Sequence, residues 1–173
     1  LLDRIETFIK DGVLNPSLVT IRIDPIIPGV TKKEDIRHII ERAKTMGISQ
    51  FKFSLMDSYG NYEDRFIVKK MRELNYPWET YYNVVTNSDG RQIIDFNPKQ
   101  EYINDFYSYM DNLAEEFNIK VWTCGENPKN IKLKRVRTNV GCVNVEAMNK
   151  AMGTTDISYT RGKQRKDCSC YGN

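Results

Sequence analysis

An alternation of two hydrophobic patterns constrains the fold of this chain more than any other feature. Short segments in which every second residue is apolar predict β-strands, and segments with apolar residues three and four positions apart predict amphipathic helices. The predicted strands are Leu18–Asp24, Phe51–Leu55 and Ile119–Thr123, and the longest predicted helix carries apolar residues from Ile103 to Phe117. Strands that alternate with helices favour a parallel sheet, because parallel neighbours need a crossover connection between them.

The predicted fold class is α/β, in the form of a partial (β/α) barrel with parallel strands. Three clear parallel strands are too few for a closed eight-stranded barrel, which takes about 250 residues. A β-hairpin insertion is predicted near residues 80–96, where Asp89 and Gly90 supply the turn. Two helix starts are also predicted: Thr31 begins a capping-box pattern, and Pro98 is expected at the first position of the helix that follows it.

Charge is divided unevenly along the chain. The 173 residues include 26 basic and 23 acidic side chains, which gives a formal net charge of +3. Residues 1–123 hold 16 basic and 19 acidic side chains, whereas residues 124–173 hold 10 basic and 4 acidic ones together with all 4 cysteines. We therefore predict a partial-barrel body over residues 1–123 and a basic, cysteine-bearing C-terminal tail over residues 124–173 that packs on the barrel.

The sequence disfavours several classes of function. No stretch approaches the roughly 20 apolar residues of a membrane span, and no signal peptide is visible, so a cytoplasmic protein without membrane partners is expected. His38 is the single histidine, which disfavours a Ser-His-Asp hydrolase, a Cys-His protease and a multi-histidine zinc enzyme. Neither a Walker A pattern nor a G-x-G-x-x-G phosphate loop occurs.

Polar side chains at the carboxyl ends of two predicted strands are the candidate catalytic residues. Arg22 and Asp24 share one face of their strand, and Lys52 and Ser54 share one face of the next. Chemistry in folds built on parallel strands sits at the carboxyl ends, so Arg22, Asp24 and Ser54 are predicted to contact a substrate or cofactor. The alternative is a structural ion pair between Arg22 and Asp24 that orients the following loop.

A hydrolase or isomerase on the same fold is the weakest of the alternatives. Acidic residues after predicted strands, Asp24, Asp57 and Glu126, could serve as acid and base. Nothing in the sequence sets two of these carboxylates at a defined separation, so this chemistry ranks last.

The four cysteines are the candidate metal ligands. They are Cys124 after the third strand, Cys142 before a short predicted helix, and Cys168 and Cys170 in the tail. Four thiolates can hold a tetrahedral zinc ion or an iron–sulfur cluster, although their spacing here matches no standard zinc finger. The alternatives are buried free thiols at Cys124 and Cys142, and reactive or disulfide-forming thiols in the tail.

The basic C-terminal segment leaves a second class of function open, a module that binds nucleic acid. Five basic residues lie within nine positions, four more follow in the tail, and two tyrosines lie near them. They are Lys129, Lys132, Lys134, Arg135, Arg137, Arg161, Lys163, Arg165 and Lys166, with Tyr159 and Tyr171. Basic side chains contact phosphates and aromatic rings stack on bases. The alternative is a solvated basic face.

Five segments spread along most of the chain carry a family resemblance. They are Arg-Ile-Asp-Pro-Ile-Ile at 22–27, residues 53–59, Trp-Thr-Cys-Gly-Glu at 122–126, Gly141-Cys142 with Glu146, and Gln-Arg-Lys-Asp-Cys-Ser-Cys at 164–170. With these segments the chain resembles an uncharacterised bacterial group of radical-SAM-like proteins, which is defined by a domain of unknown function. The last segment is the most specific, because the group shows a Gln-Arg followed by Cys-x-Cys in this place.

The resemblance implies a partial barrel that binds an iron–sulfur cluster and S-adenosylmethionine and acts on an unknown substrate. It also implies a structural or auxiliary metal site at Cys124, Cys142, Cys168 and Cys170. In that group a Cys-x-x-x-Cys-x-x-Cys run, which binds the catalytic [4Fe–4S] cluster, follows the Cys-x-Cys. The chain ends at Asn173 before such a run, and barrel strands are expected ahead of Leu1. The sequence is therefore interpreted as the C-terminal portion of such an enzyme.

Overall fold

A computed structural model describes residues 1–56, 66–86, 88–90, 92–123 and 128–138. The helices of these ranges are α1 (Leu2–Lys10), α2 (Lys33–Thr45), α3 (Phe66–Glu73), α4 (Trp78–Tyr81) and α5 (Gln100–Glu116), with a short 3-10 turn at Pro16–Leu18. The strands are β1 (Thr20–Ile26), β2 (Gln50–Leu55), β3 (Tyr82–Thr86), β4 (Gln92–Pro98), β5 (Lys120–Thr123) and β6 (Val136–Arg137). No helix of these ranges is long and apolar enough to cross a membrane.

Four of the strands form a parallel sheet in the order β1-β2-β5-β6. The three strands expected from sequence are all present and adjacent, and β6 adds a short fourth strand from the region 128–138. The mixed α/β class and the parallel sheet are therefore confirmed. The described strands form an open sheet, so the barrel stays a prediction.

One face of the sheet is apolar and covered by helices α2 and α5. Its strand residues include Phe51, Phe53 and Val121, which are almost fully buried and belong to the same cluster as Ile40 of α2 and Met110 of α5. Alternate residues of a strand point to opposite faces, so these side chains define one face and their neighbours the other. Burial of this continuous apolar surface is the main favourable term in the stability of the sheet.

Polar contacts between α2 and α5 fix the two helices side by side. Arg37 donates two hydrogen bonds to the carboxylate of Glu116, at 2.7 and 2.5 Å. This pairing holds the pKa of Glu116 below its usual range. The hydroxyl of Tyr109 donates to the backbone carbonyl of Lys33 at 2.6 Å. These contacts align the helices over the apolar face.

The expected hairpin is present as the antiparallel pair β3-β4. Together with α3 and α4 it packs at the carboxyl ends of β1 and β2, around a second apolar cluster of Met56, Met71, Trp78 and Tyr82. The Tyr82 hydroxyl donates to the carbonyl of Met56 at 2.8 Å. The Tyr76 hydroxyl donates to the carbonyl of Pro28, also at 2.8 Å. The insertion thus packs on Met56, the residue after β2, and on the turn that follows β1.

Two helix starts differ from the sequence-based expectation. Helix α2 begins after Lys32, which makes no side-chain cap, and the Thr31 hydroxyl instead accepts a hydrogen bond from the N–H of Ile27 at 2.9 Å. The threonine is used to close the turn after β1 rather than to cap α2. Pro98 ends β4, where it lies opposite Tyr82, and α5 begins only at Gln100. In both places a contact with an earlier part of the chain decided the outcome.

Candidate functional site

The face of the sheet opposite the helices carries a polar row that crosses all four strands. The parallel register aligns Arg22 with Lys52, Lys52 with Trp122, and Trp122 with Arg137. Residues in register on neighbouring parallel strands point to the same side, so these four side chains share one face. We call this row the cationic row. Three of its four members are basic.

Arg22 and Asp24 are paired at the carboxyl end of β1, as the sequence predicts. The Nε of Arg22 lies 2.6 Å from Oδ2 of Asp24, and a guanidinium Nη donates to the same oxygen. The Arg22 side chain remains 41% exposed, so a ligand could still reach it. The pair satisfies the structural interpretation, and a catalytic role for Arg22 and Asp24 stays a prediction.

Lys52 and Trp122 form the centre of the cationic row and are largely withdrawn from water. Lys52 is 6% exposed and Trp122 is 8% exposed, whereas Arg137 at the edge is exposed. Lysine is among the residues least often buried, because removing its charge from water is costly. The centre of this face is therefore shielded from water, whereas Arg22 and Arg137 at the two ends of the row are exposed.

Ser54, the third predicted catalytic residue, lies two residues beyond Lys52 on β2 and is partly buried. Its hydroxyl donates to the backbone carbonyl of Leu55 at 3.3 Å. The strand alternation places it on the face of the cationic row, nearer the carboxyl end. Arg22, Asp24, Lys52 and Ser54 thus lie on one face, while the role of Ser54 stays a prediction.

Asp111, a residue that the sequence reasoning missed, anchors β6 to the sheet. Its carboxylate on α5 accepts hydrogen bonds from the backbone N–H groups of Lys134, Arg135 and Val136, at 2.8 to 3.2 Å. Burial of Asp111 by itself would raise its pKa, but these three donors outweigh the burial and lower the pKa below its usual range. The signal in the sequence was a lone carboxylate among the buried positions of an apolar helix face.

Asn104, about two turns nearer the start of α5 than Asp111, holds the other end of the same segment. Its side-chain amide donates to the carbonyl of Lys129 at 2.8 Å, and its side-chain oxygen accepts from the Lys129 N–H at 3.0 Å. Asn104 and Asp111 together fix the chain that brings Arg137 beside Trp122. The described residues 128–138 therefore pack on α5, and Val136–Arg137 within them join the sheet. The division of the chain at residue 123 stays a prediction.

The predicted metal ligands Cys124, Cys142, Cys168 and Cys170 lie outside the described residues, as do Asp57 and Glu126. Within the described ranges, no group of three or more His, Cys, Asp or Glu residues could hold a metal ion. His38 is exposed on α2. The metal prediction therefore depends on the presence of four cysteines in the sequence. Four thiolates suit a tetrahedral zinc ion or an iron–sulfur cluster.

The fold and this face define a mixed α/β protein with a parallel sheet, helices packed on one face and a polar, cationic row on the other. The chain belongs to the family described as domain of unknown function DUF1848, whose family model matches residues 3–173. Neither a comparison with curated proteins nor one with solved structures finds a match.

Proposed function

We propose that this protein is part of a radical-SAM-like metalloenzyme, with a partial barrel and a metal site formed by Cys124, Cys142, Cys168 and Cys170. The observation that carries the proposal is the end of β5. This strand lies between β2 and β6 and ends at Thr123, and the next residue in the sequence is Cys124. Ligands of parallel α/β folds bind beyond the carboxyl ends of the strands. A thiolate next to that edge suits a functional metal.

The winding of the chain supports the partial barrel. The strands follow each other across the sheet in sequence order, and α2 and α5 contribute to a single core on one face. A doubly wound fold would place helices on both faces. A barrel instead keeps its helices outside and lines its interior with the opposite face of the sheet. In that arrangement the cationic row faces the interior.

Each group of residues has its own role in this proposal. Arg22 and Asp24 would orient a substrate at the end of β1, and Ser54 would offer it a hydroxyl. The cysteine thiolates would hold zinc or an iron–sulfur cluster, with Lys163, Arg165 and Lys166 offsetting their negative charge. A bound cluster would supply one-electron chemistry with S-adenosylmethionine in the complete protein, whereas zinc would supply Lewis acidity or structural support.

Metal analysis of anaerobically purified protein tests the metal site directly. We expect about one zinc ion or one iron–sulfur cluster per chain, the cluster with visible absorption that reduction bleaches. Replacing Cys168 and Cys170 together by serine should remove the metal. Ser169→Ala, which changes the residue between them, should retain it and serves as the matched control. Protein with neither zinc nor iron, and with all four thiols free to titrate, would contradict the proposal.

A nucleic-acid partner is the second candidate, and the anchoring of residues 128–138 favours it. Lys132, Lys134, Arg135 and Arg137 are exposed on a segment that Asp111 fixes in place, although Lys134 also lies 3.3 Å from Glu115. Fixed cations cost less to order against phosphates than cations on a loose chain. Binding to single-stranded RNA should weaken steeply as salt rises. Absence of binding at low salt would remove this candidate.

A further inference from the structure

We infer that the cationic row is a binding site for a small oxyanion, such as the phosphate or carboxylate group of a small molecule. The row brings Arg22, Lys52 and Arg137 to one face of the sheet, with Trp122 between the last two. Neighbouring strands are about 4.8 Å apart, so the four backbone positions span about 14 Å. The inference stands on the sheet alone and does not require a metal.

The charged side chains that the four strands themselves place on this face are mostly basic. Among the residues of the four strands, Asp24 is the only carboxylate, and it is paired with Arg22. Lys52 and Arg137 add two positive charges on the same face. Like charges held close together repel each other, so a row of this kind gains from an anion that lies between its members. Lys52 and Arg22 also take part in other interactions within the protein.

The burial of Lys52 sets its position apart from the surface lysines. At 6% exposure, its ammonium group meets an environment in which electrostatic attraction is screened less than in water. An oxyanion therefore gains more at Lys52 than at an exposed lysine. Arginine at either end offers planar pairs of N–H donors that match carboxylate and phosphate oxygens. The geometry thus suits a small, compact anion at the centre of the row.

Trp122 provides a built-in reporter for the test. The chain contains two tryptophans, Trp78 in the insertion and Trp122 in the cationic row. In a Trp78→Phe background the emission of Trp122 should change on titration with inorganic phosphate or with succinate, and calorimetry should give the same saturation. Sodium chloride at equal ionic strength is the reference. Saturation by phosphate alone identifies a phosphate-bearing ligand, and saturation by succinate alone identifies a carboxylate-bearing one.

Three variants locate the anion. Lys52→Met should weaken binding of the saturating anion at least about tenfold, in line with loss of one charged hydrogen bond. Arg137→Met, at the exposed edge of the sheet, should weaken it several-fold and remains informative if Lys52→Met does not fold. Lys120→Met is the matched control: Lys120 is in register with Gln50, on the same face but at the amino end. It should retain binding within about twofold, since its charge lies two residues away along β5.

Two results would overturn the inference. One is the absence of saturable binding of either anion with a Kd below about 10 mM. The other is equal weakening by Lys52→Met, Arg137→Met and Lys120→Met, which would indicate diffuse surface charge. The Cys168→Ser/Cys170→Ser protein should bind the anion as the wild type does. Loss of metal and loss of anion binding can therefore be told apart, and either proposal can fail without the other.

Discussion

The two faces of the parallel sheet are formed by the same strands but carry side chains of opposite character. On the helix-covered face, Phe51, Phe53 and Val121 pack into one apolar core. On the opposite face, Lys52, which lies between Phe51 and Phe53 in sequence, and Trp122, which follows Val121, are also largely buried. A sheet with one solvated face would expose its polar side chains to water. Alternation of polar and apolar residues thus assigns side chains to two faces of the sheet. It does not show whether the polar face is exposed to solvent or shielded from it.

The largest expected effect comes from opening the helix-covered face. Phe53 is fully buried and packs edge-to-face on Phe106 and Tyr107, with ring centroids 5.4 and 5.1 Å away. Phe53→Ala should lower the free energy of unfolding by about 3–5 kcal/mol, because it removes buried surface and leaves a cavity. Phe66→Ala, at a phenylalanine that is 80% exposed, is the matched control. Urea unfolding checks both, and equal losses would show that the core is misassigned.

The next effect comes from the link between α5 and β6. Asp111→Asn keeps the size of the side chain but removes the charge that three backbone N–H groups share, so it should cost about 2–3 kcal/mol. Because the pKa of Asp111 is lowered in the fold, its contribution is present above the ordinary value of 3.8 and is lost as pH falls through the lowered pKa. The difference in the free energy of unfolding between wild type and Asp111→Asn should therefore be largest at neutral pH and become smaller in acid.

The control for this prediction lies on the same helix. Asp105 is exposed and pairs only with Lys33 among its described partners, at 2.7 Å. Asp105→Asn should leave the unfolding curve at neutral pH close to that of the wild type. A difference between wild type and Asp111→Asn that stays constant from pH 7 to pH 3 would contradict the role given to the Asp111 carboxylate.

A smaller effect tests how the insertion meets the end of β1. Gly29 has a φ of +70°, and a Cβ placed there would lie 2.6 Å from two ring carbons of Tyr81. Gly29→Ala should therefore cost about 2 kcal/mol, from the left-handed backbone and the collision together. Gly12→Ala shares the left-handed φ, at +71°, but meets no atom within 4 Å, so only the backbone cost of about 1 kcal/mol remains. Equal losses of stability for the two variants in thermal unfolding would contradict the predicted collision with Tyr81.

The smallest effect on stability is expected on the polar face. Asp24→Asn removes a partly exposed ion pair with Arg22, which should change the free energy of unfolding by less than about 1 kcal/mol. The same change should strengthen phosphate or succinate binding about threefold, because Arg22 loses a competing carboxylate. A stability loss as large as that of Phe53→Ala, measured in urea, would show that the polar face is structural and not a binding surface.

Local patterns were sufficient to predict the main elements. The apolar spacing of α5, the strand alternation around Ile21 and the turn residues before β4 each depend on a few neighbouring residues. Such patterns are local properties of the chain, so they can be read without the fold. The pairing of Arg22 with Asp24 was equally accessible, because residues two apart on a strand share a face.

Contacts between distant parts of the chain were not accessible in the same way. Thr31 looked like a helix cap but closes a turn with Ile27, and Pro98 looked like a helix start but ends β4 opposite Tyr82. The role of Asp111 depends on three backbone partners that lie more than twenty residues away in the sequence. Each of these outcomes depends on which segments meet in space.

The sequence by itself determined β1, β2, β5, the hairpin, the long helices and the candidate residues Arg22, Asp24, Lys52 and Ser54, because hydrophobic period and side-chain alternation are local. Only the tertiary structure decided that Lys52, Trp122 and Arg137 lie in one register across three strands. That register follows from the parallel pairing of strands and from the anchoring of β6 by Asp111. The physical reason is that the cationic row is formed by residues on neighbouring strands. The hydrophobic pattern within one strand does not determine which strand pairs with it.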